Sequence, residues 1–377
     1  MNLQPYLKLM SEQMASDMYF TTGAPVSVRI DGTMRPIGKS MLNPGMTKKL
    51  AYDLLTPAQI KDFESSLELN LGVSYTDLGR FRINIYKQRG EVSMVIRYIK
   101  ADVPTIDELG LPEIYKSMIM LNKGLVLVVG ATGMGKSTSL ASMLDHRNMN
   151  ETGHILTIED PIEFMFRHKK CIVGQREVGL DTLSFDNALR EAMREAPDVI
   201  MIGEARDREA MEAALRYADT GHLCLTTLHA TNANQALDRM LNFFPSEAHN
   251  QALMDLSLNL NAILAQRLVK TKDGTRVAAV EVLVNTPYIS KLIRAGDFHE
   301  IKDIMAKGSE SGMMTFDQSL FELFKERKID LDAALANADS SSNLEWQINF
   351  GGGTSDLQKE EKTEELEFPS TPANQNK

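Results

Sequence analysis

GLVLVVGATGMGKSTSLASML, residues 124 to 144, is the stretch on which the fold turns. An unbroken apolar run is followed by a glycine-rich loop and then by a helical pattern from 136 to 148. That is the order strand, loop, helix. The loop GATGMGKST, 130–138, fits G-x-x-x-x-G-K-[ST]. Its chemistry assigns a task to each residue. Gly130, Gly133 and Gly135 let backbone N–H groups converge on phosphate oxygens without a Cβ in the way, and Ala131, Thr132 and Met134 carry further loop N–H groups. Lys136 reaches the β- and γ-phosphates, Ser137 offers a hydroxyl to Mg²⁺, and Thr138 adds a phosphate contact. The helix beginning here presents its positive dipole end to the anion.

Such a loop needs acids to hold Mg²⁺ and to position water. Further apolar runs at 154–159, 197–203 and 222–229 alternate with helical stretches at 184–196 and 207–219. This alternation predicts a mostly parallel sheet covered on both faces. In such a sheet the carboxyl ends of the strands face the ligand. HILTIEDPIEF, 154–164, ends in Glu159, Asp160 and Glu163; taken alone, the cluster reads equally well as a solvated loop. PDVIMIGE, 197–204, ends in Gly203 and Glu204. The acid that usually precedes such a glutamate is replaced by Gly203, so Glu204 is expected to act on Mg²⁺ through water. TGHLCLTTLHA, 220–230, carries His222 and His229 at the two ends of one strand, as candidates for sensing a γ-phosphate.

Outside this block the pattern differs. Residues 1–16 are helical by spacing; 26–31, 67–76, 79–87 and 91–99 read as strands, with a helical stretch at 46–66 between them. A first α+β domain thus spans 1–100, and ADVPTIDELGLPE, 101–113, reads as a linker. The block carrying the phosphate loop runs over 114–346, and its part from 246 is mainly helical apart from 277–284. A tail over 347–377 is polar and acidic, with six acids against three lysines from residue 351, and reads as disordered. The formal net charge of -10 argues against a nucleic-acid partner. The two cysteines, Cys171 and Cys224, form no CxxC pair, which rules out a four-cysteine zinc site. MNLQPYLKLM lacks the basic start and apolar core of a signal peptide, and apolar runs such as 125–129 are too short to span a bilayer. The expectation is a cytoplasmic protein that meets a membrane only through partners.

The motifs together resemble the secretion ATPases of type IV pilus and type II secretion systems. GATGMGKST is similar to that family's Walker A, LTIEDPIEF to its Asp box, DVIMIGEARD to its atypical Walker B and TGHLCLTTLHA to its His box. Within the family, CIVGQREVGLDT and GMMTFDQSL resemble the PilT and PilU branch, PilU more than PilT. The resemblance implies an α/β architecture, with a RecA-like P-loop ATPase domain behind a PAS-like N-terminal domain, and a homohexameric ring. It implies ATP and Mg²⁺ as ligands, with ATP hydrolysis driving pilus retraction. Implied partners are a PilT-type retraction motor and the inner-membrane platform protein of the pilus machine, at whose base the ring would sit.

The resemblance also assigns roles to residues. Glu163 would polarise the attacking water, Glu204 would be the Walker B acid, and His222 and His229 would belong to the His box. Arg82 and Arg97 would approach the phosphates, with Arg80 a weaker match; on their own, strand arginines read as a solvated β-face. One segment departs from the branch. The PilT-type AIRNLIRE-like stretch is YISKLIRAGDFHEI here, 288–301, keeping Leu292, Ile293 and Arg294 but losing the first arginine and the following acid. The change implies retraction only together with a PilT-type motor; two other readings are a motor of another secretion system, or an accessory ring protein that binds nucleotide with little turnover.

Overall fold

The computed structural model describes residues 3–30, 32–100, 102–308 and 311–350. The tail from 351 onward lies outside them, while the helix Ser341–Phe350 runs through the first residues of the stretch read as tail. The chain forms two compact units. Among the described residues, one comprises those up to Glu108, Pro112–Leu127 and Ser137–Leu228; the other comprises Leu109–Leu111, Val128–Lys136 and those from His229 to Phe350.

The first unit opens with the helix Gln4–Glu12, which buries Leu7 and Met10. A six-stranded sheet follows, built from β1 (Asp17–Phe20), β2 (Pro25–Ile30), β3 (Thr33–Met41), β4 (Glu68–Tyr75), β5 (Gly79–Gln88) and β6 (Glu91–Ile99). Its order is β3-β2-β1-β6-β5-β4, and every neighbouring pair is antiparallel. Strand alternation separates the two faces. Phe81, Ile83 and Ile85 of β5 are fully buried, whereas Arg80, Arg82 and Asn84, which alternate with them, are half-buried. Helices Met46–Tyr52 and Pro57–Ser66 occupy the stretch read as one helix; Leu54 and Leu55 separate them, and Thr56 caps the second through a capping box with Gln59.

The same unit holds β7 (Gly124–Val129, its first four residues), β8 (Gly153–Glu159), β9 (Cys171–Glu177), β10 (Val199–Ile202) and β11 (Leu223–Leu228), in the order β7-β11-β10-β8-β9. β8 is parallel to both β9 and β10, and β10 to β11. Gly124 N–H donates to the His222 carbonyl at 3.1 Å, so β7 and β11 start side by side. Helices Lys136–Asn150, Phe185–Ala192 and Arg208–Asp219 connect the strands, with Ser184 and Asp207 as N-caps of the last two.

In the second unit, β12 (Leu260–Lys270) and β13 (Arg276–Val284) form an antiparallel hairpin of nine residue pairs. β12 falls in the region read as mainly helical. LNAILAQRLVK consists largely of good helix formers, and pairing with β13 overrides that preference. Its helices include Ala233–Asn242, His249–Asn259, Pro287–Ala295, Ile301–Lys307, Phe316–Lys325, Leu331–Asn337 and Ser341–Phe350. No helix among the described residues is long and apolar enough to cross a membrane.

Candidate nucleotide site

The loop of the second unit is shaped by its glycines. Gly133 and Gly135 have φ of 79° and 84°, in the left-handed region that L side chains avoid. Gly130 is needed for space: a Cβ there would lie 2.7 Å from the Gln266 carbonyl oxygen of β12. At Gly135 a Cβ would lie 2.9 Å from Gln266 Nε2. Lys136 is only 8% exposed. Its ammonium crosses the loop to donate to the carbonyls of Gly130 at 2.8 Å and Ala131 at 2.9 Å. Lys136 is also the first residue of its helix, so a cation and a helix N-terminus coincide. This is a binding shape for a multiply charged phosphate chain.

The acids sit in the first unit, past the carboxyl ends of β8 and β10. Glu159 ends β8 and is 6% exposed. It accepts from Thr157 Oγ1 at 2.7 Å, from Gln175 Nε2 at 3.4 Å and from Glu163 N–H at 3.4 Å. Burial outweighs those donors and pushes its carboxyl up to about 7. The peptide bond between Asp160 and Pro161 is cis. Glu163, two residues on from that proline, is exposed.

Glu204 lies just beyond β10. Its Oε2 accepts from Arg206 Nε at 2.8 Å, and Arg206 Nη1 donates to Asp160 at 3.1 Å. Arg206 therefore ties the acid after β10 to the acid after β8. The Glu204 bond and charge, with Asp160 behind them, hold its guanidinium above the usual value. Sequence reading missed Arg206; its position two residues after Glu204 was the available signal. Gly203 has its own reason to be glycine. A Cβ there would meet the Ile158 carbonyl at 3.3 Å and Glu159 Cα at 3.4 Å, so the usual acid has little room.

The two arginines implied by resemblance occupy opposite positions on β5 and β6. Arg82 is the cross-strand partner of Arg97, and Arg97 in turn of Asp17 on β1. Arg97 Nε donates to Asp17 at 2.9 Å. Burial works against its charge, but the Asp17 bond, with Glu163 adding to the field, holds its pKa above the usual value. Glu163 and Arg97 thus belong to one electrostatic neighbourhood. Arg82 Nε lies 3.7 Å from Glu177, the last residue of β9. Glu177 is 2% exposed, and burial pushes its carboxyl up against the pull of Arg82 and Arg80. Its Oε2 also accepts from Ile162 N–H at 3.4 Å, inside the Asp-box turn. Arg80 packs its guanidinium where a Cβ on Gly72 would be 2.9 Å away.

The histidines part company. His222 precedes β11 and its Nδ1 is 3.2 Å from Thr220 Oγ1, whereas His229 follows the strand's last residue. A strand of six residues is about 20 Å long, so the two cannot share one ligand, and His222 lies at the wrong end for a phosphate. In the segment 288–301, the helix Pro287–Ala295 buries Leu292 and Ile293. Two of the three retained positions are thus core residues, and only Arg294 is exposed. No group of three or more His, Cys, Asp or Glu among the described residues could hold a metal ion by itself.

Known proteins resemble this chain over most of its length. The chain is 50% identical over 352 residues to the type IV pilus ATPase PilU of Pseudomonas aeruginosa, covering 93% of this chain and 92% of that one. It is 41% identical over 344 residues to the type IV pilus retraction ATPase PilT of the same organism, covering 91% and 100%. A crystal structure of the pilus retraction motor PilT with bound ADP superimposes with a TM-score of 0.83 at 40% identity, covering 90% of this chain and 98% of that one. The model of the Type II/IV secretion system protein family matches residues 2–316, and the chain belongs to that family.

Proposed function

We propose that this chain is a subunit of an ATP-hydrolysing hexameric ring that drives type IV pilus retraction. The observation that carries the reading is the loop of residues 130–136, with Lys136 drawn across it, in a chain similar over most of its length to PilU and PilT. Each named role then follows from chemistry. Lys136 contacts the β- and γ-phosphates of ATP. Glu163 orients the water whose oxygen attacks the γ-phosphorus as the bond to the β–γ bridging oxygen breaks. Arg82 and Arg97 supply guanidinium donors for the charge that develops on the transferring group. His229 reads the γ-phosphate. Glu204, steadied by Arg206, completes the acid set. Mg²⁺ suits the hard oxygen donors Ser137 and Glu204, the latter through water, and when bound it neutralises phosphate charge.

In this reading residues 1–100 form a PAS-like domain, 101–113 a linker and 114–346 a RecA-like domain. The ring works in the cytoplasm at the inner-membrane base of the pilus machine, against its platform protein. We further propose that it retracts pili only beside a PilT-type motor. The altered segment 288–301 supports this, because its changes leave every proposed catalytic residue in place. The test scores twitching in strains carrying each motor alone and both together, with Lys136→Ala in either. Retraction that needs both proteins, yet survives a loop mutation in one of them, is expected. Normal retraction with this protein as the sole motor would overturn the dependence.

A further inference from the structure

β12 runs along one side of the phosphate loop and meets it three times. The Gln266 carbonyl is the atom that a side chain at Gly130 would strike, 2.7 Å from an ideal Cβ. Its side-chain Nε2 is the atom that a side chain at Gly135 would strike, at 2.9 Å. Two residues on, Leu268 N–H donates to Met134 Sδ at 3.3 Å, and Leu268 Cδ1 lies 3.7 Å from the same ideal Cβ on Gly135. Strand periodicity accounts for the pattern, since residues 266 and 268 share a face. Arg267 points the other way, donating to the Asn337 carbonyl and to Asp339 at 2.6 Å each, with its guanidinium 3.8 Å from the centre of the Phe316 ring.

Gln266 is only 3% exposed and follows Ala262, Ile263, Leu264 and Ala265, all fully buried. Burying an amide in such a strand is unfavourable unless the amide has work to do. An apolar residue of the same length would fill the space. What it could not supply is a rigid polar group against the glycine that precedes Lys136.

We propose that Gln266 is a positioning residue for the phosphate loop. Its carbonyl fixes the loop's entry at Gly130 and its amide fixes the exit at Gly135, so that Lys136 and the loop N–H groups are preorganised for the phosphates. The inference rests on the reading of 130–138 as a nucleotide loop. It also gives the first and last glycines of the motif a reason that lies on the protein side of the loop, besides the phosphate side.

The test uses full-length protein, ADP with Mg²⁺ for binding, ATP for turnover, and thermal unfolding without nucleotide. Gln266→Met keeps length and volume and removes the amide. The expected result is a rise in the ADP Kd and in KM for ATP of about tenfold, the effect of one lost hydrogen-bond-sized constraint. The kcat stays within about twofold, because ground state and transition state share the loop. A role in packing alone would lower the unfolding midpoint and leave the Kd of folded protein unchanged. Gln266→Glu is the second variant, and it decides the matter if the methionine variant does not fold. Its carboxylate beside the phosphates should weaken ADP binding further as pH rises through its titration. Wild-type ADP affinity in the folded variants, with wild-type protein binding normally, would overturn this inference alone. Failure of the wild-type protein to bind ADP would overturn it together with the reading of the loop.

Discussion

The loop at 130–136 and the charged edge formed by Glu159, Glu163, Glu177, Glu204 and their arginines are held by different forces. In the loop, backbone geometry does most of the holding: positive φ at Gly133 and Gly135, a Cβ-free approach at Gly130, and loop carbonyls that accept from Lys136. At the edge, side chains hold side chains. Arg206 joins Glu204 to Asp160, Arg82 faces Glu177, and Arg97 holds Asp17. A backbone-held loop keeps its shape whatever charge arrives. A network of ion pairs is sensitive to charge, because each added phosphate offers its arginines a competing partner. Under the proposed function the loop is the part that binds and the edge the part that responds, and the predictions below set the two against each other.

The largest effect is expected from neutralising the acids. Glu163→Gln and Glu204→Gln should bring ATP turnover to background while ADP affinity stays near wild type. Parallel loss of binding and turnover would show that these acids shape the loop. Next come the arginines. Arg82→Ala and Arg97→Ala should lower kcat by up to ~10³-fold with little change in nucleotide affinity, as for arginines that stabilise transition-state charge. Arg82→Ala also leaves Glu177 buried beside a weaker cation field, at a cost of about 1–3 kcal/mol of stability. The arginine effects should appear in single-turnover rates, and the cost in urea unfolding.

A third prediction concerns pH. Glu159 and Glu281 are both buried carboxyls pushed from the ordinary 4.5 up to about 7. A raised carboxyl means that the folded state holds the proton more tightly. Its contribution to stability is complete below about pH 4.5 and is lost as pH rises through about 7. For Glu159 the shift corresponds to about 3 kcal/mol. Urea unfolding of the wild-type protein should therefore weaken over that window, and Glu159→Gln should flatten the fall. A flat wild-type profile would contradict the burial argument. The smallest effect is expected at Gly203. Gly203→Ala must displace the Ile158 carbonyl or Glu159 backbone by a few tenths of an ångström, costing about 1–2 kcal/mol. An unchanged unfolding midpoint would mean that the missing acid at 203 has no steric cause.

The same division explains what could be read from the sequence. The loop was legible because nine consecutive residues carry its motif, although part of what shapes it lies on β12. β7, β8, β10 and β11 were legible because continuous apolar runs mark strands buried on both faces. β9 was not, because CIVGQRE places Gly, Gln, Arg and Glu in succession and breaks the apolar run. With β9 went Glu177, and so the partner of Arg82. Asp17 was invisible for another reason: its role arises only when β1 pairs with β6, 80 residues later. Gln266 lay in a stretch with helical propensity, where neither its strand nor its alternation toward the loop shows. Local motifs are written locally, whereas charge networks are written in the tertiary pairing of strands.

The most direct test of the central claim is ATP turnover by the purified full-length protein, measured beside Lys136→Ala with ADP binding and circular dichroism on both. The expected result is turnover in the wild type, background turnover and lost binding in the variant, and the same helix and strand signal in each. Equal turnover in the two proteins, or none in a wild type that is folded and assembled as a ring, would contradict it.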